Sequence, residues 1–136
     1  MIVVLDASGA MEIIEQTDCG IDIVNTLMNA KKVLSPDLYI AEITNTIWKH
    51  RRNEKTDIEP LAEIIEDCIG FVHEFVDSTD LWRDALSLAR EHNHSVYDML
   101  YAALAKRNNA MFISMDKELC RIGEAMQLKV MKIRAQ

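Results

Sequence analysis

Short apolar runs alternate along the chain with longer segments in which apolar residues return every three or four positions. Residues 2–5 and 110–113 form the clearest runs, and each is apolar throughout, as in a strand that is buried on both faces. Weaker patterns predict brief strands at residues 32–34, 75–76 and 129–133. We therefore expect a sheet of four or five strands.

The segments between these runs carry the spacing of amphipathic helices. Helices are predicted over residues 7–16, 21–28, 38–53 and 95–109, around 119–126, and from starting points within 56–60 and 78–80. Pro60, Ser78 and Ser95 are typical helix-start residues. The predicted buried faces of two helices are made of Ile21, Val24, Leu27 and Met28, and of Trp82, Ala85, Leu86 and Ala89.

Strands that alternate with helices are typical of α/β proteins with a parallel sheet. We predict a three-layer α/β/α fold with a mainly parallel sheet. A chain of 136 residues fits one domain with a real core. No repeat or linker interrupts the pattern, so residues 1–136 are treated as a single domain.

The chain is acidic, with a formal net charge of −7 at pH 7. This charge argues against binding of nucleic acid through a broad basic surface, so an RNA ligand would need bound cations or a small basic patch. Cys19, Cys68 and Cys120 are far apart and predict free thiols rather than a zinc site. No apolar run reaches the length of a membrane span, and we expect a cytoplasmic protein.

Two acidic residues follow predicted strands. Asp6 comes directly after residues 2–5, and Asp116 comes shortly after residues 110–113. Sites in open α/β sheets form beyond the carboxyl ends of the strands. Carboxylates at this edge could hold Mg²⁺ or Mn²⁺, which prefer oxygen ligands, and a bound ion could activate water for phosphodiester hydrolysis.

Each candidate acid also has a purely structural interpretation. Asp6 and Asp116 precede predicted helices and could cap them. Asp98 lies three residues after Ser95, which is the spacing of a capping box. Glu42 lies inside a predicted helix, where most glutamates are simply solvated.

The segments around these acids resemble, in order, the four motifs of the PIN-domain family. The matching segments are residues 4–8, 41–45, 95–105 and 113–119. They contain an acid after the first strand, an acid followed three residues later by Asn, an Asp-containing helix start, and a Ser-x-Asp turn. The match covers nearly the whole chain, and the size and layout are most similar to VapC-type toxins. Met99 and Met115 depart from the small residues that are common at their positions.

The resemblance implies a Mg²⁺- or Mn²⁺-dependent endoribonuclease, the toxin of a type II toxin–antitoxin pair. Such a protein would act as a homodimer on single-stranded RNA and would be inhibited by a cognate antitoxin. The catalytic, metal-binding positions would be Asp6, Glu42, Asp98 and Asp116, with Asp6 and Asp98 as the principal ligands. Hydrogen bonds to these carboxylates are expected from Ser8, Asn45 and Ser114.

The densest basic segment lies at the end of the predicted helix that carries Glu42. Lys49, Arg51 and Arg52 could contact RNA phosphates there, and Lys117 is a further candidate beside Asp116. The alternative is a solvated helix end, at which cations are favoured by the helix dipole. The helical settings of Trp48 and Trp82 predict core or dimer contacts.

Other functions share parts of this pattern. A phosphatase of the haloacid-dehalogenase type would need a second Asp two residues after Asp6, where this chain has Ser8. A receiver domain would need paired acids at the end of the first strand. A housekeeping RNA-processing nuclease, or a degenerate PIN domain that only binds or dimerises, would share the fold, and the four intact acids argue against the degenerate domain.

Overall fold

Five parallel strands form the centre of the protein in a computed structural model, which describes residues 1–133. The strands are β1 (Ile2–Leu5), β2 (Lys32–Pro36), β3 (Glu74–Val76), β4 (Met111–Ile113) and β5 (Lys129–Val130). They lie in the order β3-β2-β1-β4-β5, and every neighbouring pair is parallel. The prediction of a mainly parallel sheet with up to five strands is confirmed. The last strand is shorter than the predicted 129–133.

Seven α-helices connect and cover these strands within residues 1–133. They are α1 (Ala7–Ile14), α2 (Asp18–Met28), α3 (Leu38–Arg51), α4 (Ile58–Gly70), α5 (Ser78–His92), α6 (Val96–Asn108) and α7 (Lys117–Ala125). A single 3-10 turn, Arg52–Glu54, extends the end of α3. Within residues 1–133, every helix is too short or too polar to span a lipid bilayer.

The core lies on both faces of β1. Val3, Val4 and Leu5 have no exposed surface, which requires helices above and below the sheet. Helix α6 packs on β1 and β2 and also against α5, while α1 packs against α2, α3 and α4. These layers confirm the predicted α/β/α arrangement.

The sheet order places a crevice at the ends of β1 and β4. The chain runs outward from β1 to β2 and β3, and then crosses to β4 on the other side of β1. The backbone N–H of Asp6 donates to the carbonyl of Ile113 at 3.1 Å, which holds the two strand ends together. Ligands bind at such a switch in strand order in open α/β sheets.

Two predicted helix faces are wrong in part. Trp82 and Leu86 are about half exposed, and α5 instead buries Leu81, Ala85, Leu88 and Ala89. On α2, Ile21 and Met28 are exposed. The sequence spacing fits both faces of α5, because apolar residues at positions 81, 82, 85, 86, 88 and 89 allow two overlapping stripes. Trp48 is also half exposed, so it is not a core residue.

The start of α5 is tied to the end of β2 rather than capped locally. The N-cap residue is Asp77, whose side chain makes no capping hydrogen bond. Asp37 accepts hydrogen bonds from the Ser78 hydroxyl at 2.6 Å and the Ser78 N–H at 3.2 Å. Its carboxylate therefore does for α5 what a local cap does in other helices.

Candidate active site

All four predicted acids line one pocket of about 410 Å³ at the carboxyl ends of β1 and β4. Asp6 follows β1, Glu42 lies on α3, Asp98 lies on α6, and Asp116 precedes α7. We call this cavity the acidic pocket. Its remaining lining residues are Ala7, Ser8, Met11, Glu12, Thr46, His50, Tyr101 and Met115.

Asp6 is the most deeply buried of the four acids, with 6% of its surface exposed. Its Oδ1 accepts hydrogen bonds from the Ser8 hydroxyl at 2.6 Å and from the Gly9 N–H at 3.0 Å. Burial raises the pKa of Asp6 to about 6, against the opposing effect of hydrogen bonds from Ser114, Ser8 and Gly9. The nearby charge of Glu42 acts in the same direction as burial.

Glu42 is held from across the pocket by a tyrosine. The hydroxyl of Tyr101 on α6 donates to Glu42 Oε1 at 2.6 Å. Burial raises the pKa of Glu42, the Tyr101 hydrogen bond lowers it, and the charge of Asp98 raises it further. Burial and the charge of Glu42 raise the pKa of Tyr101 above its ordinary value, so the hydroxyl keeps its proton and donates.

Asp98 has a histidine partner four residues earlier in the chain. The two side chains meet between His94 Nε2 and Asp98 Oδ2 at 2.7 Å, and both are partly buried. Asn93 adopts the left-handed conformation between α5 and α6, with φ of 51°, and so turns the chain just before His94. The Ser95 hydroxyl accepts from the Asp98 N–H at 3.2 Å, as predicted for a helix cap.

Two serines connect the strand ends. The Ser8 hydroxyl, which donates to Asp6, accepts from the Met115 N–H at 2.8 Å. The buried Ser114 hydroxyl accepts from the Asp116 N–H at 3.0 Å and lies 3.5 Å from the Ser8 hydroxyl. Ser8 and Ser114 thus both lie beside the acids of the pocket.

Capping and a place in the pocket turn out to be compatible. Asp6 and Asp116 do cap α1 and α7, each through Oδ1, since Asp116 Oδ1 accepts from the Leu119 N–H at 3.0 Å. Tyr101 and His94 likewise each contact a single oxygen of Glu42 and Asp98. A carboxylate fixed through one oxygen still has a second oxygen with which it can ligate a cation.

The donor set fits a hard divalent cation. Mg²⁺ and Mn²⁺ favour carboxylate oxygens and retain several waters, so the four predicted acids suffice as protein ligands, and Glu12 adds a fifth carboxylate to the pocket lining. Burial and mutual repulsion disfavour the ionised forms of Asp6 and Glu42, and a bound cation would offset both effects. In the part of the chain that the structure describes, no three acidic, His or Cys side chains are grouped as ready ligands of one ion. An ion shared by several of these carboxylates would therefore require them to move closer together.

The structure adds pocket residues that the sequence interpretation missed. Thr46 and His50 lie four and eight residues after Glu42, so one face of α3 lines the pocket, and this spacing could have identified them. Tyr101 lies three residues after Asp98, which is also a same-face spacing. Asn45, by contrast, is exposed and lies outside the pocket, so within residues 1–133 its predicted contact with Glu42 is not seen.

The predicted RNA-binding cations lie beside the pocket rather than in it. Lys49 and Arg52 are exposed, Arg51 is half-buried, and all three lie outside the set of described residues that line the cavity. Lys117 is exposed at the start of α7, next to Asp116, and borders a separate small cleft. His50 is the basic side chain of α3 that reaches the pocket.

The PIN domain family model matches residues 3–125 of the chain. The chain therefore belongs to the PIN-domain family, as its four motifs predicted. Ribonuclease VapC3 of Pyrobaculum aerophilum is 26% identical to it over an alignment of 124 residues that covers 88% of this chain and 92% of that protein. This similarity confirms the predicted likeness to VapC-type ribonucleases.

Solved structures show the same fold. The protein PAE2754 of Pyrobaculum aerophilum superposes with a TM-score of 0.71 at 19% identity, covering 88% of this chain and 83% of that one. A VapBC2 structure of Rickettsia felis, bound to a promoter DNA fragment, gives a TM-score of 0.67 at 16% identity, with coverages of 96% and 98%. FitAcB of Neisseria gonorrhoeae gives 0.53 at 16% identity, with 96% of both chains covered.

Proposed function

We propose that this protein is a Mg²⁺- or Mn²⁺-dependent endoribonuclease. The observation that carries the proposal is the convergence of Asp6, Glu42, Asp98 and Asp116 on one pocket from four separate parts of the fold. Membership of the PIN family and similarity to a VapC ribonuclease support the same activity. A phosphatase of the haloacid-dehalogenase type fits less well, because the position that would hold its second Asp is Ser8, whose hydroxyl bonds Asp6.

The four acids would have different roles. Asp6 and Asp98 would be the principal ligands, with Asp116 beside them and Glu42 reaching a second ion or a metal-bound water. A bound ion supplies charge neutralisation at the phosphodiester and a more acidic water. Ser8 and Ser114 hold the Asp6 and Asp116 region in place, and the ionised acids provide the negative charge that a cation requires.

Replacing Asp98 tests the catalytic role. Asp98→Asn keeps the size of the side chain and removes its charge, so we expect Mn²⁺-dependent cleavage of a mixed RNA pool to fall at least about 100-fold. Asp67→Asn is the matched control, because Asp67 is an exposed acid on α4 outside the acidic pocket. Undiminished cleavage by purified Asp98→Asn, with the control also active, would refute the proposed mechanism.

Substrate contacts are proposed for the cations that flank the acidic pocket. Lys49, Arg51 and Arg52 surround the end of the helix that carries Glu42, and Lys117 stands beside Asp116. Positive charge at the two sides of an acidic centre would bring the RNA backbone to it. A double alanine variant at Arg51 and Arg52 would then show weaker RNA binding with a shallower salt dependence. An unchanged salt dependence would remove this segment from the interface.

The biological setting that we propose is a cytoplasmic toxin of a type II toxin–antitoxin pair. The VapC relative and the VapBC2 structure support an antitoxin partner, and the acidic pocket suits an inserted basic side chain. We also propose a homodimer, in which the half-exposed Trp48 and Trp82 are candidate contacts. A solution mass near twice the 15.5 kDa of one chain, and inhibition by a small protein encoded beside it, would support this setting. Absence of such a neighbour would favour a housekeeping nuclease.

A further inference from the structure

Tyr101 makes a contact that its buried position does not require. Its ring lies in the core with 1% of its surface exposed, but its hydroxyl turns to the acidic pocket and donates to Glu42 Oε1 at 2.6 Å. The bond joins residues 59 positions apart in the chain. A Phe at this position would fill the same core space, so the hydroxyl has a role separate from packing.

The bond also spans two layers of helices. Helix α3 packs on α4, α1 and β2, whereas α6 packs on α5 and on β1, β2 and β4. Asp98 and Tyr101 lie three residues apart on α6, so one helix carries an acid of the pocket and the group that holds a second acid. The position of Glu42 relative to Asp98 therefore depends on this hydroxyl.

We propose that Tyr101 is a positioning residue that fixes the Glu42 carboxylate for cation binding in the acidic pocket. The inference rests on the proposed metal-dependent function and deepens it. The acids must converge on an ion, and a carboxylate that is already fixed through one oxygen loses less freedom when its other oxygen ligates. Hydrogen-bonding partners of this kind typically account for about 10- to 100-fold in metal affinity or activity.

Tyr39 offers a closely matched control. Its side chain is also fully buried, and its hydroxyl also donates over 2.6 Å, but to the backbone carbonyl of Cys68 outside the acidic pocket. Tyr39→Phe and Tyr101→Phe thus remove the same atom from comparable surroundings. Both should cost similar stability, and only Tyr101→Phe should change the response to metal.

The test is a calorimetric titration of Mn²⁺ into five folded proteins: wild type, Tyr101→Phe, Tyr39→Phe, Glu42→Ala and the double variant Tyr101→Phe/Glu42→Ala. We expect Tyr101→Phe to weaken Mn²⁺ binding by about 10- to 100-fold and Tyr39→Phe to leave it within about twofold. Cleavage by Tyr101→Phe should recover when Mn²⁺ is raised by the same factor. In a Glu42→Ala background, Tyr101→Phe should cause little further loss, because the carboxylate that it positions is gone.

The outcomes separate this inference from the function on which it rests. A wild-type protein that neither binds Mn²⁺ nor cleaves RNA would overturn both. Normal Mn²⁺ binding by wild type and by Tyr101→Phe alike would overturn the positioning role alone. The positioning role would also be overturned if Tyr101→Phe acts equally in the presence and absence of Glu42, because the hydroxyl would then act through another group. The same holds if Tyr101→Phe unfolds while Tyr39→Phe does not, because the hydroxyl would then serve folding.

Discussion

At the scale of single residues, Asp6 shows that the pocket is built at a cost in stability. A carboxylate with 6% exposure is unfavourable when ionised, even with Ser8 and Gly9 as donors. Its pKa of about 6 in the folded protein lies above the ordinary 3.8, so the folded chain binds more protons than the unfolded chain between these values. The free energy of unfolding must therefore fall as pH rises from about 4 to about 6, and stay low above that.

Replacing Asp6 should remove this pH dependence. Asp6→Asn keeps an oxygen acceptor for Ser8 and Gly9 but cannot ionise. In metal-free buffer at pH 7 we expect the variant to be more stable than wild type by about 2 to 3 kcal/mol, while at pH 4 the two should be nearly equal. Urea unfolding at several pH values measures the difference. A stability difference that stays constant from pH 4 to pH 7 would contradict the shifted pKa.

His94, like Tyr101, makes a hydrogen bond to an acid of the pocket that is seen only in the structure. The sequence places it near Asp98, where it could face the pocket, but a lone histidine is a weak signal for such a contact. The turn at Asn93 and the cap at Ser95 set the backbone so that the His94 ring meets Asp98 Oδ2 at 2.7 Å. Aromatic side chains thus hold two of the four acids, Tyr101 holding Glu42 and His94 holding Asp98. The family motifs alone do not specify these contacts.

At the scale of elements, close packing of α1 against α2 depends on Gly20. A Cβ built on Gly20 would overlap the backbone carbonyl of Glu12 and lie 3.0 Å from the N of Ile13. Backbone atoms cannot move aside as a flexible side chain could, so α2 would have to shift away from the helix that follows Asp6. We expect Gly20→Ala to lower the free energy of unfolding by about 2 to 3 kcal/mol in urea titrations.

Gly70 supplies the comparison for this substitution. A Cβ there would meet no atom of the described residues within 4 Å, and Gly70 ends α4 on the protein surface. Gly70→Ala should leave stability unchanged or raise it by up to about 1 kcal/mol, because alanine restricts the unfolded chain more than glycine. Equal effects of the two substitutions would show that α1 and α2 are less tightly packed than the Gly20 contacts indicate.

Element order was predictable because two strands are short and apolar throughout, and clear helix signals separate them from the weaker strand patterns. β1 and β4 were recognised on this basis, and both end beside acids of the pocket. Helix orientation was less predictable, since the apolar residues of α5 allow two stripes and only packing against α6 decides that Leu81 and Leu88 are buried. Cross-chain contacts such as Tyr101 with Glu42 could not be predicted, because they depend on how distant helices meet.

At the scale of the whole molecule, the net charge of −7 and the acidic pocket both require a source of positive charge if RNA is to bind. An acidic protein repels a polyanion, and a pocket lined by the four predicted acids and Glu12 repels it most strongly where cleavage would occur. Cations at the rim offset part of this repulsion at a distance, but Lys49, Arg51, Arg52 and Lys117 do not line the pocket. Under the proposed function, divalent ions bound in the pocket would add positive charge there beside the basic side chain of His50, and substrate binding and metal binding would be parts of one equilibrium.

This coupling predicts how metal binding depends on pH. A cation has to displace the proton from Asp6, whose pKa is about 6, and the raised pKa of Glu42 acts in the same direction. The apparent Mn²⁺ affinity should therefore fall by about tenfold or more from pH 7 to pH 5, with proton release on binding at pH 5. The rise in melting temperature that saturating Mn²⁺ produces should shrink accordingly. Calorimetry in two buffers of different ionisation enthalpy measures the released protons, and an affinity that is the same at both pH values would show that Asp6 is not a ligand.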